Sequence, residues 1–192
     1  MLSLWVGALL LVSLLSTDPV QMSDYRTHEQ YFGKLATFVS IGFLQTLVVT
    51  LGNLYVLNIG IAESVPFVLF GLGISFVFMT IVYTLVSVFG DVGKAAAIVM
   101  LVLQIAGSGG TYPVALLPEF FQMVHPFLPF SYAIDLMREA VGGIVAARVG
   151  TDLKFLAVFA AMILSVGAFL KGPLQKGTNQ LMKKSRESGL FL

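Results

Sequence analysis

Apolar runs long enough to cross a lipid bilayer dominate this sequence. Of its 192 residues, 57% are hydrophobic and only 11% are charged, and the mean hydropathy is +0.93. A soluble domain would carry about twice that charged fraction. Because backbone N–H and C=O groups must pair internally in lipid, the apolar runs are expected to be helices. The sequence therefore predicts an all-α integral membrane protein.

Five of these runs are predicted to span the membrane. A helical span needs roughly 20 predominantly apolar residues. The opening run is shorter than that, but it lacks the basic segment and cleavage site of a signal peptide, so we interpret it as a span that has lost its outer end. We therefore expect the chain to be a fragment of a longer protein. The predicted spans are residues 1–15, 35–57, 65–89, 95–112 and 153–170, in a transmembrane domain of residues 1–171 that is followed by a basic tail of residues 172–192.

Basic residues are distributed unevenly between the predicted loops. Cytoplasmic loops of membrane proteins carry an excess of lysine and arginine. If the C-terminus is cytoplasmic, more basic residues lie inside the cell than outside. We therefore predict a multi-pass protein of the cell membrane with a cytoplasmic C-terminus and with residues 107–143 outside. The inner basic residues are then Arg26, Lys34, Lys94, Lys171, Lys176, Lys183, Lys184 and Arg186, and the outer ones are Arg138, Arg148 and Lys154.

The segment between the last two predicted spans is too polar and too rich in proline to be another crossing, yet it is strongly aromatic. Pro118 is suited to the start of a short helix, because the first helical position needs no N–H partner. Pro126 and Pro129 are expected to end that helix, and Ser131 to cap a second one. We predict that residues 113–147 form an extracellular, re-entrant elbow. The alternative is a pair of interfacial helices that only anchor the chain.

The second of these short helices is predicted to be amphipathic. Asp135 and Arg138 are three residues apart and are expected to form an ion pair on its polar face. That polar face also carries Glu139 and Gly142. The apolar face is predicted to contain Ile134, Met137, Val141, Ile144 and Val145.

Residues that carry enzymatic chemistry are scarce in this chain. Its two histidines, His28 and His125, lie on opposite sides of the predicted membrane, and cysteine is absent. Neither a metal-ligand cluster nor a hydrolase motif occurs. Residues 172–178, GPLQKGT, have the glycine spacing of a phosphate-binding loop but lack its lysine. We predict no enzyme, no metal, no cofactor and no nucleic-acid partner.

Polar and small side chains within the predicted spans indicate contacts between helices. Gln45 and Asn53 are expected to bond to a neighbouring helix, and the alternative is that they face a pathway. Ala157, Ala161 and Ser165 form a small-residue stripe on the last span. This stripe permits close packing, within the chain as the simpler case or across a homodimer.

The outer segment resembles a known signature. SGGTYPVALLPEFFQMVHPFLPFSYAIDLMREAVGG is similar to the signature near the C-terminus of the phage infection protein (YhgE/Pip) family, and residues 3–11, SLWVGALLL, resemble the start of the same block. The membrane domain of that family resembles the permease of type-2 ABC exporters. The residues that carry the likeness, and that we expect to shape the elbow, are Gly109, Gly110, Pro113, Pro118, Pro129, Tyr132, Arg138, Gly142 and Gly143.

The resemblance implies a bacterial, Gram-positive origin and a six-span permease plan, of which this chain supplies spans two to six. It also implies a preceding span and a large extracellular domain. In that plan the cytosolic loop at residues 16–34 forms a coupling helix that docks a separate ATPase, and the alternative is a solvated connector. The candidate docking residues are Asp24, Tyr25, Arg26, Tyr31 and Phe32.

Two functions follow from the resemblance. The first is exporter-like transport of a hydrophobic or envelope-associated substrate, energised by the separate ATPase. The second is a membrane anchor for a phage receptor or a secretion-system scaffold that transports nothing.

Overall fold

The structure is a computed structural model, and it describes residues 1–15, residue 17 and residues 27–170. All secondary structure in these residues is helical, which confirms the all-α prediction. Two π-helical turns, Gly52–Val56 and Val166–Leu170, extend α2 and α7, and two short 3₁₀ turns are Val114–Leu116 and His125–Phe127. The α-helices are α1 (Leu2–Leu14), α2 (Thr27–Leu51), α3 (Ser64–Phe89), α4 (Asp91–Gly107), α5 (Glu119–Val124), α6 (Pro129–Gly142) and α7 (Ala146–Ser165).

Three helices among the described residues are long and apolar enough to cross a membrane: His28–Val56, Ser64–Phe89 and Ala146–Phe169. They match the second, third and fifth predicted spans. The other two predicted spans correspond to α1 and α4, which have 13 and 17 residues. The total of five crossings therefore stays a prediction.

Helix α3 is the centre of the bundle, and it contacts α1, α2, α4, α6 and α7. Trp5 of α1 is fully buried there and packs edge-on against Phe78 of α3 and Phe130 of α6, with ring centroids 5.3 and 5.6 Å away. Its indole N–H donates to the Ala97 carbonyl of α4 at 3.2 Å. One aromatic residue thus ties four helices together.

The two polar side chains of the second predicted span for which a bond between helices was expected, Gln45 and Asn53, behave differently. Gln45 Nε2 donates to the Ser3 carbonyl of α1 at 2.8 Å, which confirms the predicted bond between helices. Asn53 Nδ2 instead donates to the Val49 carbonyl of its own helix at 2.8 Å, so the expected bond from Asn53 to a neighbouring helix is wrong. Asn53 also lines a cavity, as described below.

The bundle has two distinct ends. Helices α1, α2, α3 and α4 alternate in direction, and residues 108–145, here named the cap segment, connect α4 to α7 at the end that we name the cap end. The opposite end, named the tail end, contains the start of α2 and the ends of α3 and α7.

Among the described residues, hydroxyl groups and aromatic rings pack together at the tail end. The Tyr31 hydroxyl lies 2.7 Å from Thr84 Oγ1, and the Tyr83 hydroxyl donates to the Tyr31 carbonyl at 3.2 Å. Both tyrosines are fully buried. A Cβ added at Gly167 of the π-helical turn would collide with the Tyr31 ring, so glycine permits this close approach of α7 to α2.

The small-residue stripe of the last span does not pack inside the described bundle. Ala157, Ala161 and Ser165 are all exposed, while Leu156 and Ala160 face the core. The expected packing of the stripe within the chain is therefore wrong, because the apolar side of α7 that meets α3 lies one residue away. A homodimer contact through the stripe stays a prediction.

Candidate functional site at the cap end

The cap segment is a broken chain of short helices and not one continuous rod. Helix α5 ends at Val124, a 3₁₀ turn follows, and α6 begins at Pro129 and ends at Gly142. Pro118 immediately precedes α5, and its carbonyl accepts the N–H groups of Phe121 and Gln122 at 2.9 and 3.2 Å. That this segment lies outside the cell as a re-entrant elbow stays a prediction.

The last turns of α4 hold the cap segment in place. Gln104, which is fully buried, accepts the Phe130 backbone N–H at 3.2 Å through Oε1. The Gly107 carbonyl lies 2.9 Å from His125 Nδ1. Both bonds join α4 to the start of α6 or to the turn just before it. They fix the angle at which the chain leaves the bundle and returns.

Ser131 has a different role from the one predicted. Helix α6 begins two residues earlier, at Pro129, because proline is preorganised for the first helical position. Ser131 therefore lies inside the helix and is not its N-cap. Its hydroxyl donates to the His125 carbonyl at 2.9 Å and also lies 3.1 Å from His125 Nδ1. Ser131 and His125 thus fasten the bend between the two short helices.

Arg138 connects the two halves of the cap segment. Its Nη2 donates to the Gly109 carbonyl at 2.8 Å, and its Nη1 lies 3.1 Å from Asp135 Oδ1. The predicted ion pair is therefore present. Gly109 has a φ of +73°, a left-handed conformation that favours glycine, and an added Cβ would press against Val114. Arg138 thus holds a tight glycine turn against α6.

The remaining predicted elbow residues are spread over the cap segment. Tyr132 donates its hydroxyl to the Pro126 carbonyl at 2.7 Å and stacks on Phe155 of α7, with ring centroids 4.6 Å apart. Burial raises the pKa of the Tyr132 phenol, and the Asp152 carboxylate raises it further, so the ring stays a neutral donor. Gly110 packs on Ile134, Pro113 precedes the first 3₁₀ turn, Pro129 is buried at the start of α6, Gly142 ends α6, and Gly143 follows with a φ of +113°.

The apolar face of α6 differs from the prediction. Ala133, Leu136 and Ala140 are fully buried against the core, and the predicted face through Ile134 and Met137 is only partly buried. One side of α6 packs against the bundle, and the adjacent side, with Ile134 and Met137, borders an apolar cavity. The predicted positions Ile144 and Val145 lie beyond the end of the helix.

Two cavities flank α6, and Arg138 lines both of them. The apolar cavity has a volume of about 410 Å³ and lies between α6 and the facing parts of α1, α2 and α3. Ile134, Met137 and Val141 form its wall on α6, and Asn53 is among the polar residues that reach it. The charged cavity has a volume of about 590 Å³ and lies between α6 and the start of α7.

Five charged side chains surround the second cavity: Asp135, Arg138, Glu139, Arg148 and Asp152. Glu139 is 9% exposed, and its Oε2 accepts the Val145 backbone N–H at 2.7 Å. Its Oε1 lies 3.5 Å from Arg148 Nη1. Asp152 is 8% exposed and has no hydrogen bond or ion pair to any described residue.

Three charged groups of this cavity were not predicted to belong to a site. Glu139 was assigned only to the polar face, Arg148 was counted only as an outer basic residue, and Asp152 precedes the predicted start of the last span at residue 153. Helix α7 in fact begins at Ala146, which brings Arg148 and Asp152 onto its first two turns. Their spacing of four residues, which places both on one side of a helix, was the sequence signal that could have brought them into one site.

The predicted docking residues are only partly described. Asp24, Tyr25 and Arg26 lie outside the described residues. Residues 27–34 form the first turns of α2, so the predicted loop is wrong over this part. Tyr31 is fully buried, which removes its ring from any docking surface, while Phe32 is 45% exposed.

Within residues 1–15, 17 and 27–170, no group of three or more His, Asp or Glu side chains is placed to hold a metal ion.

Comparison with known proteins identifies the family. The family model described as "ABC-2 family transporter protein" matches residues 19–169, which include the cap segment and both cavity walls on α6. The chain belongs to this transporter family. Its members are membrane components of transporters and not enzymes. A membrane location follows from the family and from the three long apolar helices.

A curated relative supports the narrower resemblance. The chain is 29% identical over 140 residues to "Uncharacterized protein YhgE" of Bacillus subtilis (strain 168). This confirms the likeness to the YhgE/Pip family that the outer segment indicated. The matched region covers 73% of this chain but only 18% of that relative. No solved structure matches the chain.

Proposed function

We propose that this chain is the membrane domain of an exporter-like permease, which moves a hydrophobic or envelope-associated substrate towards the outside of the cell. The observation that carries the proposal is the pair of cavities on either side of α6, one apolar and one charged, with Arg138 between them. An amphiphilic substrate needs both surfaces within reach of one molecule. The family to which the chain belongs supports transport as the activity.

Energy for transport would come from a separate ATPase. No phosphate-binding loop occurs in the sequence, and the family typically associates with such a partner. We place the docking site next to the start of α2, where the half-exposed ring of Phe32 is available. In this arrangement the tail end would receive the motion of the ATPase, and the cap end would release the substrate outside, with the C-terminus in the cytoplasm of a Gram-positive bacterium.

The docking site is tested by photo-crosslinking in living cells. A photo-reactive phenylalanine analogue replaces Phe32, and the matched control carries it at Val48, which is 74% exposed on the same helix but at the predicted middle of the membrane. We expect the Phe32 variant to capture a protein that mass spectrometry identifies as an ABC ATPase, and the Val48 variant not to capture it. Capture at neither position, or equal capture at both, contradicts the proposal.

Transport is tested with the intact protein and that ATPase in lipid vesicles. Fluorescent amphiphiles in one leaflet are bleached by an impermeant reductant, so their movement across the bilayer is measured directly. We expect ATP to move amphiphile to the leaflet at the cap end, and Arg138→Gln to reduce the rate. If ATP has no effect on the distribution of any amphiphile, the chain is better described as the membrane anchor of a receptor or a secretion scaffold.

A further inference from the structure

Asp152 is the unusual group of the charged cavity. It is more than nine-tenths buried, it lines the cavity, and it has no hydrogen bond or ion pair to any described residue. A largely buried carboxylate without a hydrogen bond is costly, because it loses much of its hydration, and here only the attraction of the nearby Arg148 guanidinium offsets that loss. Such a group in a cavity of about 590 Å³ indicates a ligand that supplies the missing partner.

The charges around the cavity are not balanced. Arg138 pairs with Asp135 at 3.1 Å, and Arg148 pairs with Glu139 at 3.5 Å. Asp152 is the third carboxylate of a group that contains only two arginines, so it is the one without its own counter-charge. The cavity therefore lacks one positive charge, next to Asp152.

From this we propose that the charged cavity binds the primary ammonium group of a zwitterionic head group, with the ammonium on Asp152. An ammonium group has a single charge and three N–H donors, which match one carboxylate with unfilled acceptor sites. A quaternary ammonium has no N–H donor and would leave those acceptor sites empty. A metal ion fits poorly, because no group of three ligands is placed for it among the described residues and two arginines lie beside the site.

The remainder of the head group has a place as well. The side chains of Arg138 and Arg148 are 56% and 75% exposed and line the cavity, where the anionic group of a zwitterion would meet them. Arg138 also lines the apolar cavity, which is wide enough at about 410 Å³ for part of an acyl chain. This inference names the head-group chemistry of the substrate, and its role in transport rests on the proposed function.

The experiment measures binding to the full protein without ATP or any partner, so its outcome is independent of the transport assay. In the lipid arm, delipidated protein is offered equal amounts of phosphatidylethanolamine and phosphatidylcholine, and native mass spectrometry measures the ratio retained. In the soluble arm, thermal unfolding is followed with phosphoethanolamine or phosphocholine, because a ligand that binds the native state raises Tm.

We expect the wild type to prefer the primary ammonium form by about tenfold or more, as one charge-assisted hydrogen bond implies. Asp152→Asn, which has the same shape without the charge, should lose the preference. Asp91→Asn is the matched control, because Asp91 lies at the start of α4 with an exposed ion pair to Lys94, and it should keep the preference. A preference in the lipid arm alone identifies an intact lipid as the ligand, and a preference in both arms shows that the free head group suffices.

Two results would overturn the inference. One is a wild type that does not distinguish the two head groups in either arm, and this test needs no variant. The other is an Asp152→Asn protein that keeps the preference. Because that variant removes an unpaired buried charge, we expect its Tm without ligand to be equal to or above that of the wild type. If it is not recovered folded, Asp152→Ser takes its place in the same comparison.

Discussion

The two ends of the bundle are built on opposite principles. At the tail end, the described contacts join hydroxyl groups and aromatic rings: Tyr31 bonds to Thr84, Tyr83 bonds to the Tyr31 backbone, and Gly167 lets α7 approach them closely. At the cap end, charged side chains surround one cavity and apolar side chains surround another. The first end gains stability from close packing, and the second keeps space for another molecule.

This difference suggests how the two ends divide the work. A tightly packed end resists deformation, since interiors at high packing density tolerate little change in volume. In the cap segment, one face of α6 is packed into the core, while the charged and cavity-lining side chains on its other faces remain accessible to another molecule. We therefore expect substitutions at the tail end to change stability, and substitutions at the cap end to change ligand binding and transport more than stability.

The largest effect on stability is expected from Gly167→Ala. The added Cβ would collide with the buried Tyr31 ring, and overpacking of this kind costs about 1–3 kcal/mol. Gly73→Ala is the matched control, because Gly73 lies in α3 with no atom within 4 Å of the added Cβ, and it should be neutral or stabilising. Thermal unfolding in detergent measures both variants. An equal Tm for the two would show that the tail end is not closely packed.

A smaller effect is expected from Gly109→Ala at the cap end. A left-handed conformation costs a non-glycine residue roughly 1–2 kcal/mol, and the new Cβ would also press on Val114. Gly143→Ala adds the same kind of backbone strain with no contact, and Gly142→Ala adds neither. The expected order of destabilisation in thermal unfolding is therefore 109, then 143, then 142. A different order would mean that the turn at Gly109 does not hold the cap segment.

The smallest changes in stability are expected from substitutions of the two cavity arginines, and of these Arg138→Gln should have the larger effect. The lost bond to the Gly109 carbonyl is worth about 1 kcal/mol, and the pair with Asp135 is more than half exposed and adds little. Arg148→Gln, whose side chain is 75% exposed, should change Tm even less. Both variants should nevertheless weaken binding of a zwitterionic head group in the assay described above. A large loss of Tm with unchanged binding would reverse the roles assigned to the two ends.

Much of the fold could be predicted from periodicity and proline. The apolar runs located α2, α3 and α7, and Pro118 located the start of α5. The pairing of Asp135 with Arg138 followed from their spacing on one helix. These features are local, because each depends on residues within a few positions of one another.

The features that sequence reasoning missed depend on distant parts of the chain. Gln104 accepts a bond from Phe130, which is 26 residues further on. Asp152 becomes part of a charged site only because side chains of α6 lie across the cavity from it. The burial of Tyr31 depends on α3 and α7, so an aromatic residue in a predicted loop became part of the core. Ser131 was predicted to be the N-cap because serine is favoured there, but the helix begins two residues earlier, at Pro129.

The sidedness of the cap end is the claim on which the account depends most, and cysteine accessibility measures it directly. Native cysteine is absent from the sequence, so single cysteines can be introduced without a background. Met123 lies in the cap segment and is 68% exposed, and His28 is exposed at the tail end. Each is replaced by cysteine in a separate variant. With a membrane-impermeant maleimide on intact cells, we predict labelling of Met123→Cys, and labelling of His28→Cys only after the membrane is permeabilised. The reverse pattern would place the cap end in the cytoplasm and contradict the account.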